Sequence, residues 1–422
     1  MTDKKRIIIV GGGFAGLTLA KKLNNTVYEI LLIDKVNYHQ FQPLFYQVTT
    51  AAIDPSNVSF PLRSIFHDSK NVRIRLAEVQ QIIPAENKIK TTIGDFTYDY
   101  LVAATGADTN FFGNKVMEEK TYPMKSTVEA LYLRYRILKN FEDALTAPAE
   151  ELEGLMTYVI VGGGPTGVEL CGAIAEMRKA VLPKDYPDLD FKNMKIILLE
   201  GSPKLLGSMS EQSSEKAEQY LTKMGVHVST STRVKEYDGK LISLENGNSI
   251  RTDTVIWAAG IRGNVLEGIN PQIVVRGNRI TVDRCNKVEG YLNIFALGDL
   301  AYMVTPKYPN GHPQVANVAI NQAKCLADNL KKSLKNKPWL PFEYKDKGSM
   351  ATVGKRKAVV DLSFIKFQGL FAWFVWMGLH LLLLMGMRNK IFVFIEWINA
   401  YFTNDSTLRL IFRPLANKKY QQ

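Results

Sequence analysis

The chain has 422 residues, of which 46% are hydrophobic and 22% charged, the make-up of a globular protein with room for about three domains. Lys and Arg outnumber Asp and Glu by 12, a balance that suits nucleic acid, an anionic membrane or anionic ligands. No Arg/Lys-rich tract or basic helix interleaved with aromatics is present, so nucleic acid is not an expected partner. The three cysteines, Cys171, Cys285 and Cys325, stand far apart and form no C-x-x-C, which argues against an iron–sulfur cluster or zinc site; no metal is expected, and redox chemistry would rest on an organic cofactor. Each cysteine reads as a small buried apolar residue in a reducing compartment. Met1-Thr2-Asp3-Lys4-Lys5-Arg6 is followed by only four apolar residues before glycines, far short of the ~7–15-residue core of a secretory signal, and the expected location is the cytoplasmic side.

The first element is the short β-branched run Arg6-Ile7-Ile8-Ile9-Val10, a strand that leads directly into Gly11-Gly12-Gly13-Phe14-Ala15-Gly16 and then a helix over 17–23. Gly11 permits the tight turn, Gly13 lets a pyrophosphate reach the backbone, and Gly16 lets the helix pack closely on the sheet. A second strand, Glu29-Ile30-Leu31-Leu32-Ile33, ends in Asp34, whose carboxylate suits the hydroxyls of a ribose. One such motif is weak evidence. The pattern returns after Tyr158-Val159-Ile160-Val161 as Gly162-Gly163-Gly164-Pro165-Thr166-Gly167, with a later strand, Lys195-Ile196-Ile197-Leu198-Leu199, ending in Glu200.

The likeness between the halves extends further along the chain. A hairpin expected over 87–100 leads to Leu101-Val102-Ala103-Ala104-Thr105-Gly106, and one over 239–252 leads to Val255-Ile256-Trp257-Ala258-Ala259-Gly260. The first motif glycine and the closing glycine are 95 residues apart in one half and 98 in the other. Leu292-Asn293-Ile294-Phe295-Ala296-Leu297 is a strand that ends in Gly298-Asp299 and belongs back with the first half. The expected fold is therefore α/β, with two Rossmann-like nucleotide-binding domains, the second inserted in the first, and a C-terminal membrane-anchoring helical segment.

These residues resemble the two-dinucleotide-binding flavoproteins, in which the first site holds non-covalent FAD and the second NAD(P)H. The stretch where disulfide reductases of that superfamily carry a redox cysteine pair has no cysteine. Instead it reads Asn37-Tyr38-His39-Gln40-Phe41-Gln42-Pro43-Leu44-Phe45-Tyr46-Gln47-Val48-Thr49-Thr50-Ala51, which resembles the signature of type II NADH:quinone oxidoreductases, non-proton-pumping single-subunit NADH dehydrogenases. Gly164-Pro165-Thr166-Gly167-Val168-Glu169-Leu170, the 348–358 stretch and the apolar C-terminal region support the same likeness.

The resemblance implies an FAD-binding domain over 1–125 and 276–335, an NADH-binding domain over 126–275, and a quinone- and membrane-associating region over 336–422. It implies FAD contacts from Gly11, Gly13, Phe14, Ala15, Gly16, Asp34, Lys35, Gln47, Val79, Thr105, Gly106, Gly298, Asp299 and Ala316. For NADH it implies Gly162, Gly164, Pro165, Thr166, Gly167, Glu169, Glu200, Ala259 and Gly260, and for the quinone Gln42, Tyr46, Ile320, Asn321, Gln322 and Lys357. Asp299 is placed on the ribityl chain, though a helix N-cap before Leu300 is an alternative. The family's Ala-Gln-x-Ala-x-Gln appears here as Ala316-Asn317-Val318-Ala319-Ile320-Asn321, followed by Gln322, so the quinone-facing amides depart from the pattern.

Three of these residues are expected to carry catalysis. Glu169, expected on the first turn of its helix near the nicotinamide, either orients the amide and moves protons or merely meets the helix dipole. Gln322 is the expected direct donor to the quinone, against a purely structural amide on a helix face. Lys357 either stabilises charge on the quinone oxygen or is a solvated surface lysine. A carboxylate at Glu200 accepts hydrogen bonds from a free 2′-hydroxyl and repels a 2′-phosphate, and no Arg follows immediately, which favours NADH over NADPH; Lys204 is close enough to matter. A related sulfide:quinone enzyme is the runner-up, kept open by Cys171 and Cys325.

From Phe367 to Met387 no residue carries a full charge, and by hydropathy alone this stretch, apolar almost throughout from Leu370 to Met385, meets the ~18–20-residue threshold for a span. His380 in the middle and the central Trp373 and Trp376 favour a helix lying on the surface, peripheral and monotopic on the cytoplasmic face. A second apolar helix from Ile391 to Phe402 has a polar side at Glu396 and Asn399, and a homodimer surface is a compatible use of the same segment. Arg388, Lys390, Arg409, Arg413, Lys418 and Lys419 contribute to an excess of five positive charges from Phe364 onward, which suits anionic lipid headgroups. The expected overall role is electron transfer from NADH through FAD to a membrane quinone, without charge movement across the membrane.

Overall fold

The computed structural model describes residues 4–405 and 408–411. Arg413, Lys418 and Lys419 lie outside the described residues. Dense internal contacts divide the chain into two units: residues through Gln40, Ser59–Asp108 and Ile261–Asp346 form one, and Phe41–Val58, Thr109–Gly260 and the chain from Lys347 form the other.

The first unit is built on β1 (Arg6–Val10), followed by α1 (Phe14–Leu23), β2 (Glu29–Asp34), β3 (Val72–Leu76) and β4 (Tyr100–Ala103). β1 is parallel to β2 and β4, with Ile7 opposite Ile30 and Tyr100. Ile7, Ile8 and Ile9 are fully buried, as β-branched residues of a strand covered on both faces should be. The helix α1 starts at Phe14, three residues earlier than its apolar periodicity indicates, because Gly13 already takes the extended N-cap conformation. The expected hairpin forms as Lys88–Thr91 antiparallel to Gly94–Thr97.

The second unit repeats the plan. After α2 (Thr127–Ala144), capped by reciprocal bonds between Ser126 and Glu129, come β5 (Thr157–Val161), α3 (Pro165–Glu176), β6 (Lys195–Leu199), β7 (His227–Ser229) and β8 (Thr254–Trp257). They form a parallel sheet in the order β7-β6-β5-β8. Chain continuity then returns to the first unit: β9 (Ile294–Ala296) pairs parallel with β4, completing the order β9-β4-β1-β2-β3. The strand ending in Gly298-Asp299 thus rejoins the first sheet across an intervening sheet of its own. The helix α4 (Ala316–Ser333) packs along α1.

The rest of the chain belongs to the second unit. β10 (Ser349–Thr352), β11 (Ala358–Asp361) and β12 (Lys366–Gln368) form an antiparallel sheet that leads through Gly369 into α5 (Leu370–Leu383) and α6 (Met387–Thr403). The apolar run that reads as one segment is broken at Leu384, and Gly386 turns the chain with φ +74°. At 14 residues α5 is about 21 Å long, short of a ~30 Å hydrocarbon core. Among the described residues no helix is long and apolar enough to cross a membrane.

His380 is no obstacle to an apolar setting. Its ring stacks on Trp376 at 3.9 Å, its Nδ1 pairs with the Trp376 carbonyl at 2.8 Å, and burial lowers its pKa to about 4, so it stays neutral. Glu396 corrects the expected polar side of α6. It faces inward, accepting from the Asp54 N–H (3.2 Å) and the Asn57 amide (3.0 Å), while Asn399 alone of the pair is exposed.

Candidate functional site

In the first unit the glycine turn is fixed by contacts that leave no room for side chains at two of its three motif positions. Gly11 has φ +103°, and a Cβ there would lie 2.3 Å from the Ala104 carbonyl oxygen; one at Gly16 would lie 1.9 Å from the Gly11 oxygen. At Gly13 a Cβ would meet nothing within 4 Å. That open position sits at the N-terminus of α1, where backbone N–H groups and the helix dipole favour a phosphate. Asp34 closes the turn by accepting from the Gly12 N–H (2.5 Å) and the Val36 N–H (2.8 Å), and burial raises its pKa against those bonds. His39 supports the loop from behind, donating from Nδ1 to the Gly12 oxygen at 3.0 Å, with Phe14 edge-on to its ring. Burial keeps this imidazole neutral, the form that carries the bond without an added charge.

Other residues assigned to the first cofactor fall in the same unit. Thr105 donates to the Asn264 oxygen (2.6 Å), Gly106 has φ +68°, Lys35 is exposed beside Asp34, and Val79 is buried in the core. Asp299 lies inside the Gly298–Leu300 turn, whose N-cap is Leu297, so it is not a helix cap; its backbone oxygen accepts from Gln314. Gln322 is fully buried in α4, with Oε1 accepting from the Gly298 N–H (2.7 Å) and Nε2 left without a partner. It ties α4 to the Gly298 turn, while Ala316, Ile320 and Asn321 on the same helix are half-buried.

The second unit reproduces the first turn almost atom for atom. Gly162 has φ +115° and would place a Cβ 2.5 Å from the Ala258 oxygen; Gly167 would place one 2.0 Å from the Gly162 oxygen; Gly164 again meets nothing within 4 Å. Glu200 takes the part of Asp34, accepting from the Gly163 N–H (2.5 Å) and the Ser202 N–H (2.6 Å). Pro165 and Thr166 are exposed at the start of α3, and Ala259 and Gly260 follow β8 half-buried. A half-buried, backbone-held carboxylate beside an open glycine position is what each of two dinucleotides needs, and the residues present fit both an FAD and an NADH.

Glu169 lies on the second turn of α3, not the first, because the helix begins at Pro165. It is 8% exposed, and desolvation raises its pKa to about 8, against a hydrogen bond from Thr352. Its Oε1 accepts from the Thr352 N–H at 3.3 Å. From there a chain of polar groups continues: Thr352 and Tyr46 hydroxyls at 3.0 Å, the Gln47 amide donating to Tyr46 at 2.8 Å, and the Trp397 indole donating to Gln47 at 2.7 Å. The structure therefore brings Glu169, Tyr46 and Gln47 together. It does not bring Gln42 or Lys357 into that chain. Gln42 is exposed and pairs with Lys125, and Lys357 is half-buried with its charge acting on Glu176, itself held by the Lys355 N–H.

Three residues beyond those singled out in the sequence stand at these turns. His39 buttresses the first. Arg233, 33 residues after Glu200, lies over Gly201. Phe112 is 67% exposed with φ +53°, a strained value for an aromatic residue, and its ring reaches within 3.4 Å of a Cβ position at Gly260. Only the spatial path of the chain reveals them.

Comparison with known proteins fits this geometry. Residues 5–323 match the pyridine nucleotide-disulphide oxidoreductase family, and residues 347–404 match the NDH2 C-terminal domain. The chain is 34% identical over 414 residues to the type II NADH:quinone oxidoreductase Ndh of Mycobacterium tuberculosis, covering 93% of this chain and 87% of that protein. Its fold is similar to NDH2 from Plasmodium falciparum solved in complex with NADH, at 21% identity, with a TM-score of 0.89 over 97% of this chain and 100% of that one. It is also similar, with a TM-score of 0.73 at 20% identity, to the sulfide:quinone oxidoreductase of Aquifex aeolicus, over 94% of this chain and 95% of that one.

Proposed function

The chain belongs to the pyridine nucleotide-disulphide oxidoreductase family and, within it, to the type II NADH:quinone oxidoreductases, and from that premise we propose how its own residues serve the reaction. The protein is an FAD-dependent oxidoreductase that passes electrons from NADH to a quinone. The duplicated glycine turn, with one open position in each copy, carries the reading: each copy seats one pyrophosphate, that of FAD in the first unit and that of NADH in the second.

Bound FAD supplies the two-electron relay between the nicotinamide and the quinone. The residues of this chain position and neutralise. Asp34 and Glu200 receive the ribose hydroxyls, Gly298 and Asp299 face the ribityl chain, and Gln322 holds the Gly298 turn in place. Tyr46 and Lys357 address the quinone, and Glu169, protonated at neutral pH, supplies a proton along the Thr352–Tyr46 chain. The direct test is anaerobic stopped flow on the purified yellow protein. NADH should bleach the flavin absorbance rapidly and a short-chain quinone should restore it; bleaching without restoration would remove the quinone from the reading, and no bleaching would remove NADH.

Glu200 sets nicotinamide choice. Its backbone-held carboxylate stays beside the 2′-position, so kcat/KM for NADH is expected to exceed that for NADPH by at least about tenfold, and equal values would overturn the assignment.

The C-terminal helices are proposed to rest on the membrane at its cytoplasmic face, as a peripheral attachment compatible with a homodimer and with turnover that moves no charge across the bilayer. Phe371, Leu382, Met387, Ile395 and Phe402 are all more than half exposed, with Arg388 and Lys390 beside them. Such a face binds lipid in proportion to the apolar area it inserts. Replacing Phe371 and Leu382 together by Glu is expected to weaken binding to anionic vesicles by about tenfold or more, at an unchanged thermal midpoint, measured by co-sedimentation. Undiminished sedimentation would count against this face.

A further inference from the structure

Beyond Glu200, the second unit has a cleft of about 410 Å³ lined by Gly201, Ser231, Thr232, Arg233, Glu245 and Asn246. Three separate stretches of chain meet there. The segment after β7 is docked on the end of β6 by two backbone bonds, from Ser231 to the Ser202 oxygen and from Thr232 to the Glu200 oxygen, both 2.9 Å. Ser231 adopts φ +50°, which turns the chain sharply enough to bring Arg233 back over Gly201. A Cβ on Gly201 would stand 3.4 Å from Arg233 Cγ and 3.7 Å from its Nε, ordinary contact distances that place the side chain against the strand end.

The guanidinium has a donor face to spare. Among the described residues no ion pair or hydrogen bond engages the Arg233 side chain, although Glu245 is on the same rim and its N–H is bonded to the Arg233 carbonyl. Glu200 is in the opposite condition. Each of its carboxylate oxygens already accepts a backbone N–H, from Gly163 and Ser202, so it cannot swing aside from an approaching anion. Ser231 and Arg233 line the same cleft as Gly201, the residue next to Glu200, so a nucleotide whose ribose rests on Glu200 would meet a fixed carboxylate and have an uncommitted guanidinium in the adjoining cleft.

We infer that Arg233 forms a 2′-phosphate subsite that gives this enzyme a second, slower activity with NADPH as the electron donor. The inference rests on the NADH site placed at Glu200. A guanidinium binds phosphate through charge-assisted, two-pronged hydrogen bonds, and here it offsets part of the repulsion that the carboxylate imposes. The electron balance is that of the NADH reaction: hydride leaves the same nicotinamide carbon, and the 2′-phosphate takes no part in the chemistry. Arg233 is thus a specificity residue, and its effect belongs in KM for NADPH and in the ratio of the two donors.

The test compares wild type, Arg233→Leu, Arg233→Lys, Glu200→Gln and the double variant Glu200→Gln/Arg233→Leu, in steady-state turnover with each donor and in calorimetric binding of adenosine 2′-monophosphate against adenosine 5′-monophosphate. Arg233→Leu is expected to lower the NADPH:NADH ratio of kcat/KM about tenfold, through KM, and to weaken the 2′-monophosphate about tenfold relative to the 5′-isomer. Arg233→Lys should restore part of both. Glu200→Gln is expected to raise the ratio about tenfold, and the double variant should lose that gain. A ratio and a binding preference unmoved by Arg233→Leu, or a Glu200→Gln gain that survives in the double variant, would overturn the inference and leave the NADH assignment intact. Wild-type protein inert to both donors, with no preference between the monophosphates, would overturn the underlying site as well.

Discussion

Gly164→Val should give a protein that purifies folded and yellow yet is reduced by NADH at least about a hundredfold less effectively. The reason is the contrast among the three glycines of the second turn. A side chain at Gly162 would strike the Ala258 carbonyl, and one at Gly167 the Gly162 carbonyl, so substitutions there disturb the fold itself. At Gly164 a Cβ meets nothing within 4 Å and the backbone is extended, with φ −71° and ψ −179°, a conformation that Val adopts without strain. What Val would occupy is the space over the N-terminus of α3, where the pyrophosphate of NADH is placed. Loss of two charge-assisted N–H contacts, at roughly 1.5–3 kcal/mol each, corresponds to a hundredfold or more. The measurement is the anaerobic rate of flavin bleaching against NADH concentration, with a thermal melt as control. Normal reduction in a normally folded variant would show that the phosphates lie elsewhere. Gly13→Val is the matching change in the first unit, and there the expected outcome is a folded but colourless protein.

That pair of experiments also marks how far the sequence could be read. Glycine turns and the carboxylates that close them are set within a few residues of chain, so Gly11, Gly13, Gly16 and Asp34, and their counterparts at Gly162, Gly164, Gly167 and Glu200, are visible before any folding is considered. The return of β9 to the first sheet was legible for a similar reason, since its Gly-Asp ending has no place in the second repeat. What local pattern could not supply is the partner of a buried polar group. Tyr46 and Thr352 are 306 residues apart, Glu169 and Thr352 are 183, and no periodicity links them. Arg233 has no local signature, because it is not among the residues just after Glu200 but is delivered to Gly201 from beyond the next strand. Glu396 misled in the other direction: a charged residue on an apolar helix reads as a solvent-facing stripe, yet its carboxylate is taken up by Asp54 and Asn57. The apolar stretch near the C-terminus concealed a break because hydropathy carries no record of Gly386, where the backbone turns with φ +74°.

Glu169→Gln is expected to slow quinone reduction about a hundredfold at neutral pH while flavin bleaching by NADH changes much less. Burial is the largest influence on this carboxyl and raises its pKa to about 8, so at pH 7 it carries a proton that the Thr352 and Tyr46 hydroxyls can pass toward a quinone taking up two electrons and two protons. The sign of the pH dependence follows. In the wild type the quinone step should be fast below about pH 8 and fall as pH rises through it, whereas the Gln variant, with no proton to give, should show a low and flat profile across the same range. Stability supplies an independent readout. The folded protein holds a proton on Glu169 that the unfolded chain, with an ordinary carboxyl pKa near 4.3, gives up; Glu169 therefore costs stability progressively as pH rises from about 4.3 to about 8, and no further above it. Gln cannot ionise and escapes that cost, so at pH 9 the variant should melt no lower than the wild type even as its quinone step fails. A variant that keeps the wild-type rate and pH profile would instead make Glu169 a filler of the α3–β10 junction, held by Thr352 and moving no proton.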